Sequence, residues 1–128
     1  MATLTRTSPT AVPSGSGTFN AGAADASMTA VASSDIVTNS DGRTWLWISN
    51  QGGSTDTVTI TAQNTNQYSA AGVSLTPSTL SVAILTTERR IIGPIPPSVY
   101  NDGGGNITIN HSFTTSVKIL CLAMPAIL

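Results

Sequence analysis

Charged side chains are scarce in this chain. Lys and Arg together number five and Asp and Glu six, which is 9% of the 128 residues, against about 25% in an average globular protein. The net charge of −1 provides no basic stripe to bind a phosphate backbone, so we expect no free nucleic acid as a partner. Low charge also means weak repulsion between copies, which favours a subunit that associates with other proteins.

Cysteine, histidine and long apolar runs are also nearly absent. The chain has one cysteine, Cys121, and one histidine, His111, which excludes an intrachain disulfide and a zinc site built from paired Cys or His residues. No apolar run approaches the roughly 20 residues that a transmembrane helix needs, and residues 1–6 lack the apolar stretch of a signal peptide. We therefore expect synthesis in the cytoplasm and no membrane partner.

The groups needed for catalysis are equally few. His111, Ser112, Asp102 and Cys121 could in principle form a nucleophilic constellation, but no nucleophile elbow or oxyanion loop frames them. The glycines at 103–105 lack the pattern of a phosphate-binding loop, and the Asp residues do not form a calcium-loop series. We predict that the protein is not an enzyme and has no catalytic, cofactor or metal site.

Serine and threonine, by contrast, account for 36 of the 128 residues, and many of them alternate with apolar residues in short runs. Residues 44–49 would place both tryptophans on one face of a strand and Leu46 and Ile48 on the other, which predicts a central strand. Residues 57–62 alternate threonine with apolar residues, which predicts a half-buried antiparallel strand.

Turn residues separate further runs of this kind. A hairpin of residues 99–101 and 106–111 is predicted around a turn at 102–105, and the prolines within 93–97 should form a rigid corner at a sheet edge. The remaining predicted strands are 73–75, 80–85 and 117–124. We therefore predict an all-β fold, a two-sheet antiparallel β-sandwich of roughly seven to nine strands, with jelly-roll or immunoglobulin-like topology.

The N-terminal segment has too few apolar residues to form a core by itself. We expect an extended N-terminal arm over residues 1–22 and a β-sandwich domain over residues 23–128. Ordering a backbone costs about 1–2 kcal/mol per residue, so residues 1–20 need a surface, which we expect to be a neighbouring subunit or a larger assembly. The arm residues expected to make this contact are Leu4, Arg6, Pro9, Val12, Pro13 and Phe19.

Two other segments are candidate contacts between subunits. Glu88, Arg89 and Arg90 form the one local cluster of charge in the sequence, which is either a solvated sheet edge or a source of cross-subunit ion pairs. The C-terminal residues Ile127 and Leu128 are apolar, and they could be buried against the chain's own sandwich or against another copy.

Three segments carry a resemblance to a known group of proteins. They are the Trp-Leu-Trp-Ile strand with its Asn-Gln-Gly-Gly turn at 45–53, the threonine-rich strand at 56–61, and Thr-Glu-Arg-Arg-Ile-Ile-Gly-Pro at 87–94 leading to Tyr-Asn-Asp-Gly at 100–103. Through them, residues 44–122 resemble the small decoration, cement or minor structural proteins of tailed bacteriophage heads.

That resemblance implies a β-sandwich subunit on the outside of an icosahedral capsid, commonly present as a trimer. Such a homo-oligomer binds the major capsid protein or other virion proteins and reinforces the junctions between capsomers. The resemblance implies no catalytic residues, and the arm lies outside the matching region. The expected location is the capsid surface of the virion, after synthesis in the host cytoplasm.

Two alternatives stay open. One is a virion-surface module that binds host glycans through Trp45, Trp47 or Tyr68, although two indoles in an apolar strand more often pack in a core or an interface. The other is a head-completion or tail structural subunit of similar fold, which would differ in ring symmetry and low copy number.

Overall fold

The structure, a computed structural model, describes residues 2–7, 28–63, 68–70, 73–75 and 79–123. Outside these ranges lie six of the predicted contact residues: Pro9, Val12, Pro13, Phe19, Ile127 and Leu128. The described strands are β1 (Ala2–Leu4), β2 (Arg6–Thr7), β3 (Thr29–Ala30), β4 (Ser34–Thr38), β5 (Thr44–Asn50), β6 (Asp56–Ile60), β7 (Tyr68–Ala70), β8 (Val73–Leu75), β9 (Leu80–Ile84), β10 (Glu88–Ile92), β11 (Asn106–His111) and β12 (Val117–Ala123), and the described helix is α1 (Pro97–Tyr100). Over these ranges, no helix is long and apolar enough to cross a membrane.

The strands form two main sheets. The first sheet has the order β1-β4-β11-β6-β9, and the second has the order β10-β5-β12-β2, with β3 also paired to β12. β7 and β8 form a separate two-stranded hairpin. Pairing is antiparallel except for β1 with β4 and β2 with β12, which are parallel. The prediction of antiparallel sheets is therefore corrected at the two N-terminal strands.

One hydrophobic core lies between the two sheets. The first sheet contributes Val58 and Ile109, and the second contributes Leu46, Ile48 and Ile119, all within a single buried cluster. These residues follow the period of two expected when one face of each strand is buried. The predicted all-β architecture of two sheets around one core is thus confirmed.

One of the predicted strands is confirmed, and one predicted hairpin is wrong. The strand predicted at 44–49 is β5, and it is central, since it pairs with β10 on one side and β12 on the other. The predicted hairpin of 99–101 with 106–111 is wrong, because residues 97–100 form α1 and β11 pairs with β4 and β6 instead. Pro97 stands at the first position of that helix, where its fixed φ favours a helical turn.

The N-terminal strands belong to the chain's own sandwich. β1 pairs with β4 of the first sheet, and β2 pairs with β12 of the second sheet. Leu4 is buried in the core, and Arg6 Nη1 donates to Asp41 Oδ1 at 2.7 Å and to Thr44 Oγ1 at 3.1 Å. Both residues were expected to contact a neighbouring subunit, and in the structure they contact this chain.

Candidate protein interface

The second sheet carries apolar side chains on both of its faces. Since Leu46 and Ile48 of β5 point into the core, Trp45, Trp47 and Ser49 point outward. The same alternation in β12 sends Ile119 inward and leaves the residues on either side of it facing outward. We call this surface the outer face; its residues are Trp45, Trp47 and Ser49 of β5, Arg89 and Ile91 of β10, and Lys118, Leu120 and Leu122 of β12.

Strand register arranges the outer face in rows. Trp47 of β5 lies opposite Ile91 of β10 and Leu120 of β12, which makes one apolar row across three strands. The next row pairs Trp45 with Leu122. In antiparallel sandwiches the outward face is commonly polar, so two adjacent apolar rows mark this face as unusual.

The apolar rows pack into a second cluster, separate from the core. Leu120 and Leu122 are each 5% exposed, and Met28, Trp45 and Trp47 are partly buried against them. Ile91, at the end of its row, is 55% exposed. Leu120 and Leu122 are therefore already covered within this chain, and Ile91 is the residue of these rows that is open for a partner to cover.

The corner after β10 is shaped to admit Trp45. Gly93 has a φ of +152°, and a Cβ atom placed there would lie 2.9 Å from Cδ2 of the Trp45 ring. Only glycine combines this backbone angle with so close an approach. The predicted position of the corner at a sheet edge is confirmed, since β10 ends at Ile92 on the edge of the second sheet, but Pro97 at its end belongs to α1.

The third row of the outer face is polar. Ser49 lies opposite Arg89 on one side and Lys118 on the other, and its Oγ accepts a hydrogen bond from Gln51 Nε2 at 3.2 Å. A groove of about 390 Å³ runs over this row, and its lining residues are Met28, Ser49, Gln51, Arg89, Ser116 and Lys118. The outer face therefore changes from apolar to cationic along the strands.

The predicted charge cluster is divided in the structure. Glu88 Oε1 and Arg90 Nε form an ion pair within β10, while Arg89 lines the groove with Lys118. Lys118, Leu120 and Leu122 were not among the contact residues predicted from the sequence. The signal that could have found them is the alternation of β12, in which every second residue faces away from the core.

The residues weighed as catalytic candidates do not converge. His111 Nδ1 lies 2.6 Å from Asp56 Oδ2, whereas Asp102 Oδ1 accepts the backbone N–H groups of Gly104 and Asn106. Ser112 Oγ accepts the backbone N–H of Thr57 at 2.7 Å.

Cys121 lies inside the sandwich, where burial raises the pKa of its thiol to about 12. A thiol with so high a pKa is almost entirely protonated at neutral pH and is a poor nucleophile. Among the described residues, no three His, Cys, Asp or Glu side chains lie together as metal ligands would.

No family model, curated protein or solved structure matches the chain.

Proposed function

We propose that this chain is a structural protein of a bacteriophage virion, a capsid decoration or cement protein that binds the outer shell as an oligomer. The observation that carries the proposal is the outer face, where Ile91, 55% exposed, ends an apolar row on a sandwich whose core is already closed. The low charge of the chain supports the same interpretation, since it leaves little repulsion to oppose association.

We also propose that the sandwich is a jelly roll. The eight strands β3–β6 and β9–β12, numbered in chain order, give one sheet ordered first, eighth, third, sixth and another ordered second, seventh, fourth, fifth, with every neighbouring pair antiparallel. An immunoglobulin sandwich places its first two strands side by side in one sheet, whereas β3 and β4 lie in different sheets. Jelly rolls are a common architecture of viral capsid domains.

The mechanism of such a protein is adhesive. A standard interface between proteins buries about 1,600 Å² in total, and an oligomer, with a trimer as the favoured state, can engage several shell sites at once. Linked contacts raise the effective concentration of each remaining contact, so modest individual affinities combine. A protein that binds the assembled shell in preference to its free subunits stabilises the shell by mass action.

The glycan-binding alternative receives less support from the same surface. A lectin site that stacks sugars on indole rings needs those rings open to solvent. Trp45 and Trp47 are partly buried and pack against Leu120 and Leu122. Rings packed in this way are less available to stack on a sugar.

The test is the copy number and position of the chain in particles purified from the cells that produce it. Quantitative mass spectrometry against the major capsid protein and symmetric reconstruction of the particle supply both values. We expect many copies outside the shell, located at capsomer junctions. Absence from purified particles would overturn the proposal, and a single ring of copies at the head vertex or tail would replace it with the head-completion or tail assignment.

A further inference from the structure

β9 is an edge strand without the features that usually keep edge strands apart. It ends the first sheet, and the β7–β8 hairpin forms a sheet of its own, so β6 is the described strand that pairs with β9. The five residues of β9 are Leu-Ser-Val-Ala-Ile, with no charge and no proline. An exposed edge of this kind pairs with other strands unless charge, proline, a bulge or short length prevents it. The sequence of β9 therefore permits pairing with a further strand.

The other edges of the two sheets are protected. β10, an edge strand of the second sheet, begins with Glu88, Arg89 and Arg90. β1 has three residues, and β2 and β3 have two each. Charge and short length both limit pairing at an edge. Among the described strands, β9 is therefore the edge best suited to accept a partner strand.

The direction of the hydrogen-bond ladder shows which backbone groups of β9 face the open edge. The Thr57 carbonyl oxygen accepts the Ser112 N–H at 3.2 Å, and the Thr57 N–H donates to Ser112 Oγ, so the backbone groups of Thr57 point away from β9. Backbone groups of successive residues in an antiparallel strand point to alternate sides. Ala83 lies opposite Thr57, and Ser81 is two residues away on the same strand. The N–H and C=O groups of Ser81 and Ala83 therefore point to the open edge.

β9 is complementary to a second copy of itself. If two copies of β9 run antiparallel around a twofold axis at Val82, Ser81 of each copy lies opposite Ala83 of the other. These are the residues whose backbone groups point to the edge, so each such pair exchanges both of its hydrogen bonds. Leu80 then lies opposite Ile84, and no charge meets a like charge.

Pairing of this kind would also bury apolar surface. Leu80 and Val82 are partly buried against the core and lie on the last strand of the sheet, so a neighbouring strand would cover the part of each that is still exposed. Removal of apolar surface from water drives association, whereas a strand that brought a charge to this edge would have to desolvate it. An uncharged strand such as β9 itself therefore fits the edge.

We propose that two copies of this chain pair through β9, antiparallel around a twofold axis at Val82, so that their first sheets form one continuous sheet. The proposal goes beyond the proposed function, because this edge lies apart from the outer face and joins copies to each other. A strand of five residues is short for a standard interface of about 1,600 Å², so we expect a dissociation constant of about 0.1 mM. A twofold contact joins copies in pairs, so a trimer can use it to bind a second trimer.

Disulfide cross-linking tests the register. Ser81→Cys and Ala83→Cys are separate variants at exposed positions, which are mixed and then oxidised. Opposite residues of a hydrogen-bonded pair have Cα atoms about 5.5 Å apart, which suits a disulfide, whereas two copies of the same variant would hold their thiol-bearing residues about 9 Å apart, beyond its reach. We expect the mixture to give at least about fivefold more cross-linked dimer than either variant alone. Equal yields, or no dimer in the mixture, would overturn the proposal.

Two controls accompany the cross-linking. Wild type, in which Cys121 is buried, gives the background of oxidation. Thr3→Cys places a thiol at an exposed position of β1, on the opposite edge of the first sheet. If Thr3→Cys cross-links to Ala83→Cys better than Ser81→Cys does, the two edges pair head to tail, and the twofold arrangement is overturned.

Charge placed on the edge tests the contact in solution. The double variant Ser81→Lys, Ala83→Lys puts like charges opposite each other across the pair, which destabilises strand pairing. We expect its self-association, measured by sedimentation equilibrium, to weaken at least about tenfold. Thr57→Lys, Thr59→Lys is the matched control, since it adds the same charge on the neighbouring strand in the same register. Equal weakening by the two double variants would indicate general charge repulsion and would overturn the assignment.

The results also separate this proposal from the proposed function. Both tests use the isolated chain, so cross-linking through β9 in a protein that is absent from particles would support the pairing while the proposed function fails. Failure of the cross-link in a protein that decorates particles would have the reverse meaning. If the Ser81 and Ala83 amides are protected from hydrogen exchange on particles but the isolated chain does not self-associate, a strand of another virion protein occupies the edge, and the choice of a second copy is overturned.

Discussion

His111 Nδ1 lies 2.6 Å from Asp56 Oδ2, and both side chains are fully buried. The pair connects the end of β11 to the start of β6 in the first sheet, and Asp56 Oδ1 also accepts the backbone N–H of Phe113 at 3.2 Å. Buried polar groups are costly unless they are hydrogen-bonded. Asp56 therefore accepts the Phe113 N–H and lies within hydrogen-bond distance of His111 Nδ1, at the point where the chain leaves β11.

Replacement of Asp56 should test this role directly. Asp56→Ala removes the acceptor of the Phe113 N–H and the partner of His111, so we expect the free energy of unfolding to fall by about 3 kcal/mol. Urea denaturation measures the change. Asp102→Ala is the control, since Asp102 is a partly exposed turn carboxylate and its loss should cost about 1 kcal/mol. Equal losses in the two variants would contradict the buried role of Asp56.

The contact between Arg6 and Asp41 should make the free energy of unfolding depend on pH in the acid range. The hydrogen bond from Arg6, aided by the Arg43 backbone N–H, lowers the pKa of Asp41 from 3.8 to about 2. A carboxyl whose folded pKa is depressed stabilises the fold above its unfolded pKa, and this contribution disappears as pH falls through the folded pKa. Asp41→Asn should therefore be less stable than wild type at pH 6, and most of this difference should be lost near pH 2.

Urea unfolding at several pH values between these limits checks the prediction. The difference between wild type and Asp41→Asn should shrink between about pH 4 and pH 2. Arg43→Gln is the comparison variant, because it leaves the Arg6–Asp41 contact in place. Arg43 Nε is 3.8 Å from Asp41 Oδ2, and 44% of the Arg43 side chain is exposed. A difference that stays constant over this pH range would disprove the linkage.

Two adjacent glycines provide a matched pair for packing. A Cβ atom at Gly52 would overlap the backbone carbonyl oxygen of Thr115 and the ring of Phe113, whereas a Cβ at Gly53 would meet nothing within 4 Å. Gly52→Ala should therefore lower the free energy of unfolding by about 1–3 kcal/mol. Gly53→Ala should change it by about 0.5 kcal/mol or less. Thermal unfolding followed by circular dichroism compares the two, and similar stabilities would refute the predicted overlap.

Ile91 and Leu85 are a matched pair for the outer face. They are exposed to nearly the same extent, 55% and 53%, but Ile91 lies in the Trp47 row while Leu85 follows β9 outside it. Ile91→Ser should weaken attachment to particles about tenfold, and Leu85→Ser should leave it unchanged. Both should alter stability by about 0.5 kcal/mol or less. Competition with labelled wild-type protein for particles lacking the chain measures attachment, and equal competition by both variants would contradict the assignment of this face.

Alternation of side chains predicted the strongest strands well. β6 was evident because a strand with one buried face alternates buried and partly exposed residues, and the threonines within residues 57–62 show that alternation in the sequence. α1 was missed because Val99 and Tyr100 favour strands, whereas Pro97 at the first helical position favours a helical turn. The strand propensity of Val99 and Tyr100 opposed the helical φ fixed by Pro97, and the helical turn formed.

Local patterns in the sequence could not predict contacts between segments that are far apart in the chain. Asp56 and His111 are 55 positions apart, and they meet only because β6 and β11 are neighbours in the first sheet. The groove has the same origin, since Arg89 and Lys118 face it only through their common register with Ser49. A shift of one residue in either pairing would send one cation to the opposite face.

Residues 2–7 link the two sheets mechanically. β1 and β2 are separated by Thr5 alone, yet they hydrogen-bond to edges of different sheets. The two layers can separate along this side only if the backbone hydrogen bonds of β1 to β4 or those of β2 to β12 break. A force that pulls on the N-terminus would act along β1 and β2, so several of their backbone hydrogen bonds would have to break together. This segment therefore holds the two sheets together on this side of the sandwich.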